Sequence, residues 1–157
     1  MAGWTEYVLA WACFLGAHVI PAMPRLRERL VAILGRRGYL AAFSVTSVAL
    51  LLWLIWAAGR APWVGLWDAG MAGRWLVNIA MPVAILTGAL ARGLSGLVTA
   101  FAIWAGAHLV MNGDLAHAIL FGGMLAFALS GLARSGLPRD FRVTPLRLLA
   151  AVLIWAG

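Results

Sequence analysis

Long apolar runs separated by short polar connections dominate the hydrophobic pattern of this chain. An apolar run of about 18 or more residues can cross the roughly 30 Å hydrocarbon core of a bilayer as one α-helix. The pattern therefore predicts an all-α protein, a polytopic transmembrane bundle of five to six spans forming one domain over residues 1–157. The predicted spans are residues 7–22, 39–58, 75–91, 94–111, 115–133 and 143–157, of which the last is short for a full crossing.

Turn and capping residues mark the ends of several predicted spans. Pro24 marks the end of the first span, because proline lacks an amide donor and disfavours a helical conformation in the residue before it. The Asn-Gly-Asp segment at 112–114 is a tight-turn signal, so spans four and five should form an antiparallel hairpin in which Asp114 caps the fifth. Thr144 and Pro145 offer a cap and a first-turn proline for the last helix.

Charge is sparse and strongly basic. The 157 residues are 64% hydrophobic and 11% charged, with a formal net charge of +7, and all twelve basic residues are arginine. The arginines lie mainly in connections between spans, where the positive-inside bias explains them, so we expect no nucleic-acid partner. Nine arginines fall on one side of the predicted topology and two on the other, which predicts a cytoplasmic face and an N-terminus outside. The nine are Arg25, Arg27, Arg29, Arg36, Arg37, Arg92, Arg134, Arg139 and Arg142, and the two are Arg60 and Arg74.

The stretch from Arg25 to Gly38 differs from the predicted spans because it is both basic and amphipathic. Such a segment suits the headgroup layer of a membrane, where arginine stems lie along apolar surface and the guanidinium groups reach the interface.

Three histidines lie inside the predicted spans: His18 in the first, His108 in the fourth and His117 at the start of the fifth. Polar groups at membrane depth are costly and are therefore candidates for function. Phe14 and Trp104 each lie four positions before a histidine, on the same helical face. Two such histidines, with small residues beside them that let a flat ring approach the backbone, have the features that a b-type haem requires.

A simpler role is also open for these histidines, since a lone histidine in a membrane helix often donates a hydrogen bond to a neighbouring helix. The expected depths of His18 and His108 differ by about 10 Å at a rise of about 1.5 Å per residue. Only a tilted or membrane-parallel porphyrin would bridge that offset. His108 and His117 lie at nearly equal depth across the hairpin and form the geometrically easier pair.

Other catalytic constellations cannot be assembled from the sequence, which offers no hydrolytic triad, phosphate-binding loop, thiolate metal site or paired intramembrane carboxylates. Asp68 and Asp114 are interpreted as turn or cap residues. Acid–base catalysis would fall to a histidine, and we expect no carboxylate in the spans to orient one.

Several motifs together resemble the NnrU family, and the most specific is the segment from His108 to Asp114. The resemblance implies a multi-pass protein of the bacterial inner (cytoplasmic) membrane that supports denitrification or nitric-oxide and nitrite metabolism. The motifs are Phe14-Leu15-Gly16-Ala17-His18, the basic stretch from Arg25 to Gly38, Leu66-Trp67-Asp68, and the run from Trp104 to Asp114.

NnrU proteins are similar to the ζ-carotene isomerase, which carries haem b, and the proposed axial histidines of that enzyme fall on the motifs that hold His18 and His108. The resemblance thus implies haem b with these two axial iron ligands, and Phe14 and Trp104 would lie beside the cofactor. His117 is a further difference from the family and an alternative ligand. One alternative function is a haem-dependent cis–trans isomerase of a lipophilic polyene such as ζ-carotene. Another is a cofactor-free assembly or packing subunit of a membrane complex, so the expected partners are the lipid bilayer and a redox or membrane-complex protein.

The sequence departs from the family pattern at two motifs. Family members commonly carry an Arg-His-Pro motif before the fourth span, whereas this chain has Arg92-Gly93-Leu94-Ser95-Gly96. The isomerase has a redox-switchable cysteine ligand three residues before its second haem histidine, and the matching position here is Ala105. The second departure argues against redox-switched isomerisation.

Overall fold

A computed structural model describes residues 2–156, which form α-helices and no strand. The all-α prediction is confirmed for this part of the chain. A short 3₁₀ turn at Ile20–Ala22 joins the first two helices. The helices are α1 (Ala2–Val19), α2 (Pro24–Arg60), α3 (Gly70–Leu90), α4 (Leu94–Met111), α5 (Leu115–Ser135) and α6 (Pro145–Ala156).

Four of the described helices, α2 to α5, are long and apolar enough to cross a membrane. The 18-residue α1 includes Glu6 and His18 and is not among these four, and α6 is apolar but only 12 residues long. Large apolar side chains such as Leu52, Ile79 and Leu129 are exposed on the surfaces of the long helices. Such surfaces are suited to contact with lipid.

The chain divides into two compact units, unit 1 up to Pro62 and unit 2 from Trp63 onward. In unit 1, α1 packs against α2. The Glu6 carboxylate joins the two helices, since it accepts a hydrogen bond from Trp53 Nε1 at 3.4 Å and lies 3.4 Å from Nε of Arg60. Gly3 approaches the carbonyl of Arg60 so closely that a β-carbon there would collide with it.

Within α2, the helix is broken at Gly35, which has φ 70° and ψ 162°. A positive φ is costly for residues with a β-carbon and easy for glycine, so the break falls where the sequence permits it. The sequence pattern placed the end of the basic stretch at Gly38, and the structure instead keeps Gly38 helical.

In unit 2, α4 packs against both α3 and α5, and α6 packs against α3. Small residues allow these helices to approach closely, as expected for membrane helix pairs. A β-carbon at Gly88 of α3 would lie 3.3 Å from that of Ala100, and one at Gly131 of α5 would lie 3.3 Å from Val98. The predicted hairpin of spans four and five is present as α4 and α5.

Main-chain pairing holds both ends of α4. At its end, the amides of Leu66 and Trp67 donate to the carbonyl of Gly113 at 2.7 and 3.1 Å, and the amide of Leu115 donates to the carbonyl of Val64 at 2.9 Å. Just before its start, the amide of Arg92 donates to the carbonyl of Asp140 at 2.9 Å. The connections at 61–69 and 136–144 are thus tied to the helix ends.

Candidate functional site

His18 lies half-buried near the end of α1, among aromatic rings of unit 1. Its Nδ1 donates a hydrogen bond to the carbonyl of Phe14, one helical turn earlier, at 2.7 Å. Because a carbonyl only accepts, Nδ1 carries the proton, and the lone pair of the neutral imidazole is on Nε2. The ring centroid of Phe14 lies 4.3 Å from that of His18, and Phe43 of α2 approaches edge-on at 5.5 Å.

Two buried polar atoms accompany this aromatic cluster. Trp11 packs edge-on against Phe14 at 6.1 Å, and Tyr39 stacks on Phe43 at 6.3 Å. Trp11 Nε1 and the Tyr39 hydroxyl are buried and have no hydrogen-bond partner among the described residues. Buried donors are normally paired, so the cluster has unused capacity for an acceptor.

His108 repeats the geometry of His18 in the last turn of α4. Its Nδ1 donates to the carbonyl of Trp104 at 2.9 Å, again one turn earlier, so its Nε2 also carries the lone pair. The indole of Trp104 lies 5.3 Å from the imidazole, and the ring of Phe121 on α5 lies 5.1 Å from it. The same backbone bond thus fixes the same tautomer at both histidines.

His117 is oriented by the carboxylate that caps α5, a pairing that the sequence analysis did not single out. Its Nδ1 donates to Asp114 Oδ2 at 2.6 Å, and its amide donates to Asp114 Oδ1 at 3.1 Å. The predicted cap of α5 by Asp114 is confirmed by the second bond. The expectation concerned carboxylates inside the spans, whereas Asp114 lies just before α5, where the capping geometry also brings its carboxylate to the imidazole three residues later. A capping residue followed three positions later by a hydrogen-bonding side chain was the available signal.

Phe121 brings the two histidines of unit 2 to one ring. Its centroid lies 5.1 Å from that of His108 and 6.0 Å from that of His117, and Trp104 meets it edge-on at 5.3 Å. Phe121 is itself buried, with 5% of its surface exposed. The structure therefore brings His108, His117 and Trp104 together, whereas His18 and Phe14 belong to the aromatic cluster of unit 1.

Space beside His108 differs from the expectation. A β-carbon at Gly106 would lie 3.9 Å from the side chain of Leu125, and Ala107 is buried. Side chains of α5 therefore fill the slot on this side of α4. By contrast, a β-carbon at Gly16, two residues before His18, would meet nothing within 4 Å. Gly16 is therefore open to the surroundings of α1.

The donor set fits a haem iron. A porphyrin supplies four nitrogen ligands, so the protein needs to provide only one or two axial imidazoles, and His18 and His108 each present Nε2 in the required tautomer. Unpaired donors beside the His18 cluster could also serve acceptor groups at the rim of such a cofactor. Within residues 2–156, no group of three or more His, Cys, Asp or Glu side chains is arranged to hold a bare metal ion.

Trp11, Tyr39 and Phe43 were not singled out from the sequence, because aromatic residues in membrane helices usually pack or face lipid and carry no local signal of a site.

Comparison with known proteins supports the resemblance to the NnrU family. The family model described as "NnrU protein" matches residues 6–153, nearly the whole chain. No curated protein and no solved structure matches the chain. With its apolar helices, the chain is a membrane protein and belongs to the NnrU family.

Proposed function

We propose that this protein binds haem b in the bacterial cytoplasmic membrane, with Nε2 of His18 and Nε2 of His108 as the axial ligands of the iron. The observation that supports this most directly is the histidine geometry that occurs twice. Each imidazole donates from Nδ1 to the carbonyl one turn earlier, at 2.7 and 2.9 Å, and each packs against the aromatic residue that supplies that carbonyl.

The Nδ1 bond has two consequences for an axial ligand. It fixes the ring orientation and the tautomer, and it increases the electron-donating strength of Nε2. The surrounding rings of Phe14, Phe43, Trp104 and Phe121 keep water away from the imidazoles. An apolar shell and hydrogen bonds to the ligands are two of the means by which a protein sets the redox potential of haem.

The function proposed for the bound group is support of denitrification or of nitric-oxide and nitrite metabolism, in line with the family. Haem supplies one-electron transfer, or binding of nitric oxide if one axial ligand can be displaced. His117 is the alternative ligand, since its Nδ1 is bonded to Asp114 and its Nε2 carries the lone pair in the neutral form. A redox protein or membrane complex would exchange electrons with the site.

The proposed topology has six spans with the N-terminus outside, so that α1 and α6 cross as well as α2 to α5. Two observations support this topology. Nine arginines fall on one side of the membrane and two on the other, and α6 is apolar. Reporter fusions placed after Arg60 and after Arg134 test the orientation. A periplasmic reporter after Arg60 and a cytoplasmic reporter after Arg134 would support the proposed orientation. A periplasmic reporter after Arg134 would refute it.

The haem proposal is tested by the reduced-minus-oxidised absorption spectrum of detergent-purified protein, expressed with haem supplementation. We expect a b-type spectrum that is lost or converted to a five-coordinate form in His18→Ala and in His108→Ala, with recovery on adding imidazole. His117→Ala is the matched control and should keep the wild-type spectrum. Loss of the spectrum in His117→Ala alone would move the ligand to α5.

A wild-type protein without Soret absorbance would overturn haem binding and favour the cofactor-free assembly subunit. Co-purification of a membrane partner that is unchanged when both His18 and His108 are replaced by alanine would then identify that role.

A second candidate function, the haem-dependent isomerase of a lipophilic polyene, is favoured by one groove in unit 2. This apolar groove of about 390 Å³ lies between α3, α4 and α6 and reaches Phe101 and Trp104, and the Trp104 ring lies 5.3 Å from His108. A lipophilic substrate could enter it from the bilayer. Conversion of cis-ζ-carotene by reconstituted, reduced protein tests this function, and the absence of turnover by haem-loaded protein would rule it out.

A further inference from the structure

Residues 24–37 of α2, here called the basic arm, follow a non-helical residue and include the helix break at Gly35. Met23 before the arm is extended, with φ −100° and ψ 96°, and Gly35 near its end has φ 70°. The helical part of the arm, residues 24–34, is thus bounded by two non-helical residues. Its direction is therefore set independently of the helix that follows Gly35.

The charge of the basic arm is unbalanced and exposed. It contains five arginines and one acid, Glu28. None of the five guanidinium groups lies within ion-pair distance of a carboxylate in the part of the chain that the structure describes. All five are exposed and so are available to an anionic partner. They are Arg25, Arg27, Arg29, Arg36 and Arg37.

The basic arm also has an apolar face, which lies beside Arg25 and Arg29. Leu26, Leu30 and Ile33 follow one another at helical spacing, so they lie on one face, whereas Arg25 and Arg29 lie on another. Ile33 is 78% exposed and Leu34 is 48% exposed. A helix that exposes both an apolar and a cationic face is stabilised at a membrane surface, with its apolar side among acyl chains.

One cleft of the basic arm combines both kinds of surface. It has a volume of about 640 Å³ and is lined by Met23, Pro24, Arg25, Leu26 and Arg29. Two arginines and three apolar residues line the same cleft. This lining matches a lipid with a phosphate headgroup and hydrocarbon tails, because arginine binds phosphate oxygens in a bidentate manner.

We propose that the basic arm binds the phosphate headgroups of anionic phospholipids, with Arg25 and Arg29 on the phosphates and the Leu26 face among the acyl chains. Charge complementarity identifies the occupant, and the exposed Ile33 and Leu34 favour a lipid over a soluble polyanion. The inference does not depend on haem binding.

The test places the full-length protein in nanodiscs that contain equal amounts of phosphatidylglycerol and phosphatidylcholine. The association constants of spin-labelled forms of the two lipids are then compared. Each arginine near an anionic surface contributes a factor of about five to binding. We expect the preference for phosphatidylglycerol to fall at least fivefold in the Arg25→Gln, Arg27→Gln, Arg29→Gln triple variant.

Two control variants distinguish this site from general positive charge. Arg139→Gln with Arg142→Gln removes two arginines elsewhere and should change the preference less than twofold. Replacing the same three arm residues by lysine keeps the charge without the bidentate fork, so it should lower the preference by less than the glutamine variant does. An unchanged preference in the glutamine triple variant, an equal loss in the Arg139 and Arg142 control, or a larger loss in the lysine variant than in the glutamine variant would each overturn the proposal. Abolition of the preference by 10 mM inorganic phosphate would also overturn it and indicate a soluble anion as the occupant.

Discussion

The two carboxylate oxygens of Asp114 accept hydrogen bonds from two groups of His117, the amide at 3.1 Å and Nδ1 at 2.6 Å. Asp114 is buried, with 4% of its surface exposed, and its backbone pairs with that of Gly65 in an isolated β-bridge. One side chain therefore caps α5 and orients an imidazole, and the backbone of the same residue pairs with the connection between α2 and α3.

Replacing Asp114 by alanine should lower the free energy of unfolding by about 1–3 kcal/mol, since a cap is lost and a buried amide loses its acceptor. Asp114→Asn keeps an acceptor for the amide and should cost less. Thermal unfolding of the detergent-solubilised protein measures both effects. The exposed Asp140→Ala is the control, and an equal loss of stability there would contradict the assigned role of Asp114.

Gly113→Ala should disrupt the contact between the α4–α5 turn and the connection that precedes α3. A β-carbon at this position would collide with the backbone of Trp67, which cannot move without breaking the bonds of Leu66 and Trp67 to the Gly113 carbonyl. Overpacking of this kind costs about 1–3 kcal/mol. Faster proteolytic cleavage within residues 63–69 would report it.

The matched control is Gly59→Ala, where a β-carbon meets nothing within 4 Å. This variant should be cleaved at the wild-type rate. If Gly113→Ala is also cleaved at that rate, the close approach of the turn to Trp67 is not needed for the native structure.

Arg147→Gln should loosen α6 from α3. The Nη1 atom of Arg147 donates to the carbonyls of Ala89 and Leu90 at 3.2 and 3.3 Å, at the end of α3 where carbonyls lack helical partners. Charged hydrogen bonds of this kind contribute about 1.5–3 kcal/mol. A lower thermal midpoint is expected in Arg147→Gln but not in Arg142→Gln, whose bond to Leu90 comes from the backbone. Equal midpoints for wild type and Arg147→Gln would refute this.

Tyr39→Phe should be neutral or slightly stabilising in protein purified without haem, because the buried hydroxyl has no partner among the described residues. Thermal unfolding with and without haem supplementation measures the effect. In the haem-loaded protein, a destabilisation of about 1 kcal/mol would be expected if the hydroxyl donates to the cofactor. Destabilisation of the same size in both preparations would show that the hydroxyl is already paired.

Local signals in the sequence predicted much of unit 2. The turn at 112–114, the cap at Asp114 and the cap at Thr144 each depend on residues close in sequence, and the amide of Arg147 does donate to the Thr144 hydroxyl at 3.3 Å. The sequence pattern set the end of the basic stretch at Gly38, whereas the helix breaks at Gly35. Both glycines permit a positive φ, so residue type alone does not select between them.

The candidate site was predictable where its contacts follow helical spacing. Phe14 with His18 and Trp104 with His108 are four residues apart, and the structure shows both pairs in contact. The approach of Phe121 to His108 and of Phe43 to His18 joins different helices, so no sequence spacing encodes it. The pair of Asp114 and His117 was not predicted, because the role of Asp114 as a helix cap already explained this aspartate.

The main-chain pairing at both ends of α4 restricts how unit 2 can move. Sliding α4 along its axis relative to its neighbours would break the bonds of Leu66 and Trp67 to Gly113 at one end and the bond of Arg92 to Asp140 near the other. Shear along the helix axes is therefore unfavourable, whereas a small change of tilt leaves both sets of bonds intact. Any conformational response at His108 would reach the rest of unit 2 as a hinge rotation about these two anchored ends.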